Sequence, residues 1–249
     1  MKKSILWVIA LSIAFPTLAA PPSHAPFTKL LKQYVTADGW VKYKVWKNHP
    51  KDLDKLQAYC DTLSNDPPQD SWTKNERLAY WINAYNAFTL KLILDNYPLN
   101  SIQDLHPTIK IPMVSTVWHK KFFKIGGEDF NLDEIEHGIL RKDFEEPRIH
   151  FAINCASYSC PQLRSEAFTA DKLEAQLTDQ AKRFINGELR NKVSQDKAEL
   201  SKIFRWFKGD FTKQGSLRAF INQYADQQMT EETKISYLEY DWSLNEPSK

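Results

Sequence analysis

Residues 74–97, KNERLAYWINAYNAFTLKLILDNY, carry the strongest helical signal in this 249-residue chain. Thr73 and Glu76 have the spacing of a capping box, and Tyr97-Pro98 is typical of a helix end. Apolar residues occupy more than half of the helix circumference, which predicts burial on nearly every side. We therefore expect the rest of the domain to pack around this helix.

Two asparagines, Asn83 and Asn86, lie three residues apart within this helix, among aromatic side chains. Asparagine is a poor residue for a helix interior, and burying its amide without a partner is costly. The pair therefore predicts specific hydrogen bonds. Either these amides tie the helix to a neighbouring loop, or they contact a ligand.

Shorter patterned segments flank the long helix. Apolar spacing predicts helices, and Gly126-Gly127 between two short apolar runs indicates a hairpin. Strands are predicted at Val41–Val45 and at the C-terminal Ile235–Trp242. Together, these predicted helices and strands indicate an α+β fold, a single mostly helical domain with a small antiparallel sheet. The predicted helices near the long one cover residues 27–34, 53–63, 131–141, 173–185, 203–211 and 217–224.

The stretch Arg148–Pro161, RIHFAINCASYSCP, brings two of the three cysteines close to a histidine and an arginine. Read with a period of two, it predicts a strand with His150 and Asn154 on its polar face. The serines that follow favour a loop, and that loop leaves Cys155 and Cys160 flanking it.

The two cysteines allow competing hypotheses. If the loop closes like a hairpin, a Cys155–Cys160 disulfide is favoured. If it does not, a thiol near His150 could be a nucleophile, and Cys160 is better placed than Cys155, which a strand would put on the opposite face from His150. A redox dithiol ranks lower, because its spacing is wider than Cys-x-x-Cys. Metal binding is not predicted, since no fourth ligand is obvious, and no cofactor is predicted either.

A further histidine, His137, lies on the predicted helix that begins with the capping-box pair Asn131 and Glu134. That helix leads directly into the stretch with His150, so His137 could approach its polar face. The alternative is an ordinary surface histidine paired with Glu134 and Arg141 at helical spacing.

The N-terminus predicts export. Residues 1–19 have a basic start at Lys2 and Lys3, an apolar run and small residues at a cleavage position, as in a signal peptide, and residues 20–249 would form the mature domain. The net charge of +2 becomes 2 − 2 = 0 once those lysines leave, so nothing favours nucleic acid as a partner. We expect a periplasmic or secreted protein with no stable membrane insertion after cleavage, whose partner is a small-molecule or peptide ligand.

Four motifs in order resemble the family known as domain of unknown function 547. They are WINAYNA at 81–87, IEHGILR at 135–141, RIHFA with the two following cysteines at 148–161, and YDWSLN at 240–245. The resemblance extends over nearly the whole mature chain and implies a fold shared with secreted bacterial proteins. Plant members carry other residue types at the two cysteine positions, which implies that His150, Arg148 and the asparagines are the more durable site candidates.

Our leading hypothesis is a thiol-dependent hydrolase or acyltransferase that acts on an amide or ester. Cys160, or failing that Cys155, would be the nucleophile and His150 the general base. His137 or Asn154 would orient the imidazole, and Arg148 would hold an anionic group of the substrate. The alternative is a non-catalytic envelope binding module, in which a Cys155–Cys160 disulfide braces a pocket lined by Asn83, Asn86, His150 and Arg148.

Overall fold

The computed structural model describes residues 20–107 and 116–247. The predicted signal peptide, residues 1–19, lies outside the described residues. Within the described ranges, no helix is long and apolar enough to cross a membrane. The helices are α1 Ala25–Tyr34, α2 Tyr43–Lys47, α3 Pro50–Asn65, α4 Lys74–Asn96, α5 Arg141–Asp143, α6 Ile149–Ala152, α7 Leu173–Ile185, α8 Lys202–Trp206, α9 Lys208–Phe211 and α10 Leu217–Asn222, with 3-10 turns at Ile102–Leu105 and Val117–His119 and a π-helix at Glu134–Leu140.

Helix α4 is the central element, as the sequence predicts. The Thr73 hydroxyl accepts a hydrogen bond from the Glu76 N–H, and the Glu76 carboxylate accepts one from the Thr73 N–H, so the capping box is confirmed. Sixteen of its side chains, from Leu78 to Leu94, are buried. A helix covered on all sides needs neighbours all around it, and α3 and the π-helix are among the elements that pack on it.

The strands form two small sheets, which confirms the α+β class. Strands β1 Phe123–Ile125 and β2 Glu128–Phe130 form the predicted antiparallel hairpin, with Gly126 and Gly127 at positive φ in its turn. Strands β3 Lys192–Val193, β4 Lys197–Leu200 and β5 Lys234–Tyr237 form the second sheet. Its β4–β5 pair is parallel rather than antiparallel, because the chain passes through α8 to α10 before it returns to β4.

Two strand predictions are wrong. Residues 149–152 form the short helix α6, and all four of its side chains are buried. A period of two cannot identify a face when every face is covered, so the apparent alternation was not a strand signal. Residues 43–47 form α2, and only Val41 makes an isolated bridge, to Val35.

The core consists of two hydrophobic clusters that meet at α6 and α7. In α6, Ile149 packs in the larger cluster around α4, whereas Phe151 packs in the smaller cluster around α8 to α10. In α7, Leu177 belongs to the first cluster and Phe184 to the second. His150 therefore lies where the two clusters join, and the candidate site opens at this junction.

Candidate functional site

One cavity of about 220 Å³ at this junction collects both neighbouring cysteines and three histidines. Its lining residues come from the cysteine loop at residues 155–160, the π-helix, α8 and the C-terminal segment at residues 240–245, among other parts of the chain. A cavity that combines apolar walls with a few convergent polar groups is the usual form of a small-molecule site. The described lining residues are Tyr85, Thr116, Trp118, His119, Asp133, Glu136, His137, His150, Ile153, Cys155, Cys160, Pro161, Ile203, Trp206, Phe207, Tyr240 and Trp242.

The cysteine loop, residues 155–160, is held in an unusual backbone conformation. Ala156 is fully buried and has a φ of 63°, a left-handed conformation that costs a non-glycine residue about 1 kcal/mol. Its N–H donates to the Asn154 side-chain oxygen at 2.8 Å. The C-terminal segment pairs with the loop, since Asn245 N–H donates to the Ala156 carbonyl and Tyr158 N–H donates to the Ser243 carbonyl. Backbone strain maintained by this many contacts is typical of functional sites.

The loop brings the two sulfurs into contact without a bond between them. Cys155 Sγ and Cys160 Sγ lie 2.7 Å apart, and both residues are free cysteines. The Cys155 N–H donates to Cys160 Sγ at 3.0 Å, and the Tyr240 hydroxyl lies 3.6 Å from Cys155 Sγ. The predicted disulfide is therefore not found in the structure.

The surroundings of the two sulfurs give them different acidities. Burial by itself raises the pKa of Cys160, but hydrogen bonds from the Cys155 thiol, the Tyr240 hydroxyl and the Cys155 N–H lower that pKa to about 7. The pKa of Cys155 is raised well above its usual value by its hydrogen bond to Cys160 and by burial. Because the thiolate is the reactive form of cysteine, the surroundings make Cys160 the more reactive thiol of the pair.

Arg190 supports the loop from below. It is almost fully buried, donates from Nε to the Cys160 carbonyl and donates from Nη2 to the Tyr158 carbonyl at 3.3 Å. Its guanidinium lies over the Trp40 ring, 5.3 Å from the centroid. Sequence reasoning missed both Arg190 and Tyr240, because neither lies near the cysteines in the chain.

His150 is oriented by an aspartate that the sequence analysis did not identify. Its Nε2 lies 2.7 Å from Asp210 Oδ2, and its ring stacks on Phe207 with centroids 4.0 Å apart. Burial lowers the pKa of His150, so the imidazole is neutral near pH 7. An ionised carboxylate only accepts, so Nε2 carries the proton and Nδ1 keeps a free lone pair, as a general base requires.

Asp210 is fixed from a second side by Arg141. The guanidinium donates to both carboxylate oxygens, at 2.6 and 3.1 Å. Although burial alone would raise it, the hydrogen bonds from His150 and Arg141 hold the pKa of Asp210 well below its usual value. Asp210 is therefore a permanent anion behind the imidazole.

The π-helix Glu134–Leu140 presents three titratable groups to the cavity, Asp133 just before it and Glu136 and His137 within it. π-Helical turns are rare and frequently mark functional sites. Glu136 is half-buried and accepts a hydrogen bond from the Tyr85 hydroxyl at 3.3 Å. Burial, together with the nearby Cys155, raises the pKa of Glu136 to about 8.

His137 reaches the cavity but does not orient His150. Its Nδ1 accepts a hydrogen bond from Arg141 Nη1 at 2.7 Å, and its Nε2 lies 3.6 Å from Asp133. The Phe207 ring contacts both imidazoles, at 4.0 Å from His150 and 6.0 Å from His137. The orienting role predicted for His137 or Asn154 therefore belongs to Asp210.

The asparagines lie beneath the site and do not line it. Asn86 donates to the Ala152 carbonyl at 2.9 Å and accepts from the Asn154 N–H at 2.8 Å. Asn83 makes the same two-sided contact with the backbone of Phe168, at 2.7 and 2.9 Å. Asn154 donates to the Pro161 carbonyl at 2.7 Å. All three amides bond to backbone groups. For Asn83 and Asn86 this is the first of the two alternatives that the sequence left open.

Arg148 lies outside the cysteine cavity. Its guanidinium forms ion pairs with Glu146 and Glu174, at 2.7 and 2.6 Å, and lines a separate surface cleft with Tyr224. With both carboxylates bound to it, Arg148 is already neutralised and cannot hold an anionic group beside Cys160. Cys60, the third cysteine, is buried on α3, and burial raises its pKa to about 12. Across residues 20–107 and 116–247, no group of three or more His, Cys, Asp or Glu side chains is arranged to hold a metal ion.

Comparison with known proteins identifies one family. Residues 69–185 match the model of the family described as "Protein of unknown function, DUF547". No curated protein and no solved structure matches the chain. The matched segment contains both cysteines of the loop, His137 and His150, whereas Asp210, Trp206 and the C-terminal aromatic residues of the cavity lie beyond it.

Proposed function

We propose that this chain, which matches the DUF547 family model over residues 69–185, is a thiol-dependent hydrolase or acyltransferase that uses Cys160 as its nucleophile. The observation that carries the proposal is the set of hydrogen bonds to Cys160 Sγ, which lower the pKa of that thiol to about 7 inside a cavity that also contains a neutral, oriented imidazole. A cysteine with only a structural role needs neither a lowered pKa nor an oriented imidazole in the same cavity.

The proposed reaction begins when the Cys160 sulfur attacks the carbonyl carbon of an ester or amide. A carbon–sulfur bond forms, and the bond from carbon to the leaving oxygen or nitrogen breaks. His150 takes the thiol proton and returns it to the leaving group, as a general base and then a general acid. Water, or a second acceptor in a transferase, then releases the acyl group from sulfur.

The hydrogen bonds of His150 place one condition on this mechanism. Its described side-chain partner is Asp210, and no hydrogen bond joins the imidazole to either sulfur in the structure. Proton transfer therefore passes through a bound water or a substrate atom, which a general base tolerates when one bridging molecule is present. Asp210 keeps the ring in the tautomer that leaves Nδ1 available.

The direct test is acylation by an activated ester such as p-nitrophenyl acetate. We expect a burst of one equivalent of nitrophenol and an acetyl group on Cys160, identified by peptide mass spectrometry. Cys160→Ala should abolish the burst. Cys60→Ala removes the buried thiol on α3 and is the matched control, and it should leave the burst unchanged. Acetylation that is equal in Cys160→Ala and wild type would overturn the proposal.

A second candidate is the binding module with a structural Cys155–Cys160 disulfide. The 2.7 Å between the sulfurs favours it, because a disulfide bond of about 2.05 Å needs only a small approach of the two atoms. Thiol titration of the unreduced, denatured protein separates the candidates. The binding module predicts one free thiol, from Cys60, and the enzyme predicts all three.

A further inference from the structure

The walls of the cavity point to the kind of substrate it accepts. Four aromatic residues form one continuous wall on the side of α8 and the C-terminal segment, with ring centroids 4.5 to 5.9 Å apart. They are Trp118, Trp206, Tyr240 and Trp242. Trp206 is 46% exposed, which is unusual for so large an apolar side chain and leaves its ring available to a ligand.

The charges of the same cavity have one sign. The lining includes the carboxylates Asp133 and Glu136, and none of the described lining residues is a lysine or arginine. Burial lowers the pKa of His137 and of His150, so neither imidazole carries a charge near neutral pH. The permanent charges available to the cavity lining are therefore those of its two carboxyl groups, and His119 and His137 each lie 3.6 Å from Asp133.

Glu136 has an incomplete set of partners. Its Oε2 accepts from the Tyr85 hydroxyl at 3.3 Å, and no described residue donates to Oε1. Arg141 favours the ionised form of this carboxyl from a distance, but burial outweighs that effect, so Glu136 is poorly stabilised as an anion. A cation from outside the chain would supply that partner.

We propose that the substrate carries a cationic group, an ammonium or a quaternary ammonium, that lies against the Trp118, Trp206, Tyr240 and Trp242 wall with its charge beside Glu136 and Asp133. Aromatic faces and carboxylates together recognise such groups, whereas aromatic faces alone also accept neutral rings. This inference rests on the proposed function, since it names the class of ester or amide that Cys160 would attack.

The test compares choline with its neutral carbon isostere, 3,3-dimethylbutan-1-ol, by calorimetric titration of the reduced full chain at pH 9, where Glu136, whose pKa is about 8, is ionised. The two probes have nearly the same shape, so the difference between their affinities reports the charge. We expect choline to bind at least about tenfold more tightly, corresponding to about 1.4 kcal/mol. Equal binding of the two probes, tighter binding of the isostere, or no saturable binding of choline would overturn the inference.

Two variants localise the effect. Glu136→Gln keeps the shape of the side chain and should weaken choline at least about fivefold while leaving the isostere unchanged. Glu128→Gln, on the exposed β2 of the hairpin, is the matched control and should change neither affinity. An unchanged choline affinity in Glu136→Gln would contradict the inference. Binding is measured without turnover, so a protein that binds choline but shows no ester burst fails only the proposed function.

Discussion

Replacing Asn86 by alanine should both destabilise the protein and disturb the cysteine loop. The side chain bonds two buried backbone groups, the Ala152 carbonyl and the Asn154 N–H. Each group left without a partner costs about 1–3 kcal/mol, so we expect a loss of about 2–6 kcal/mol in the free energy of unfolding. Urea unfolding followed by tryptophan fluorescence measures this loss.

The Asn86→Ala variant should also change the chemistry of Cys160. Asn154 immediately precedes Cys155, whose N–H donates to Cys160 Sγ. Releasing Asn154 moves that donor, so the pKa of Cys160 should rise from about 7 toward the ordinary value of a thiol. The pH dependence of iodoacetamide alkylation, followed at Cys160 by mass spectrometry, reports this pKa.

Asn83→Ala is the matched control for this prediction. Asn83 lies one helical turn earlier on α4 and makes the same pair of hydrogen bonds, but to Phe168, outside the cysteine loop. We expect a similar loss of stability and an unchanged alkylation profile. The reasoning is refuted if Asn86→Ala loses less than about 1 kcal/mol, or if both variants shift the Cys160 profile equally.

Three further outcomes follow from the site. Cys155→Ala removes a hydrogen bond that lowers the pKa of Cys160, so alkylation of Cys160 at pH 7 should slow by at least about tenfold. An unchanged rate would show that this hydrogen bond does not lower the pKa of Cys160. Asp210→Asn should slow ester acylation at least about tenfold, because Asp210 orients His150, and equal acylation rates would exclude the role given to the imidazole. The alkylation profile should stay in place, because Asp210 is not among the groups that set the pKa of Cys160. The pKa of Glu136 is raised from 4.5 to about 8, so the folded state favours the protonated acid and wild type loses stability as pH rises through that window. Denaturation curves should therefore show Glu136→Gln to be more stable than wild type at pH 9, by at least about 1 kcal/mol, and equal to it near pH 4. The same difference in stability at both pH values would contradict the raised pKa of Glu136.

The elements that the sequence predicts well have strong local signals. Helix α4 combines a capping box with a long apolar pattern, and the β1–β2 hairpin has two glycines that tolerate positive φ. In both cases the residues that determine the structure are neighbours in the chain. The local sequence is therefore sufficient to predict helix α4 and the β1–β2 hairpin.

The strand prediction around His150 failed because every face of this segment is buried. In α6, four consecutive residues are buried between two hydrophobic clusters, so the pattern of polar and apolar residues contained no information about the period. The expected strand was therefore wrong, although the cysteine loop after it was placed correctly. His150 lines the cavity from helix α6 instead of from a strand.

The partners of the site residues come from distant parts of the chain. Asp210 bonds His150 from 60 residues away, and Tyr240 reaches Cys155 from 85 residues away. Glu136 was not predicted as a site residue, because its neighbours in the sequence gave no sign that it would line the same cavity as the two cysteines. These groups come together only in the folded chain, where the π-helix packs against α4, the C-terminal segment pairs with the cysteine loop, and Asp210 on α9 meets Arg141 and His150.

The most direct test of the account is the alkylation rate of Cys160 in the reduced wild-type protein between pH 5 and 10, as about half of that thiol should be ionised near pH 7. The account predicts a profile with a midpoint near 7 for Cys160, and a much higher midpoint for Cys155. A Cys160 midpoint near 9, or labelling of Cys160 only after denaturation, would contradict a reactive thiolate in an open cavity.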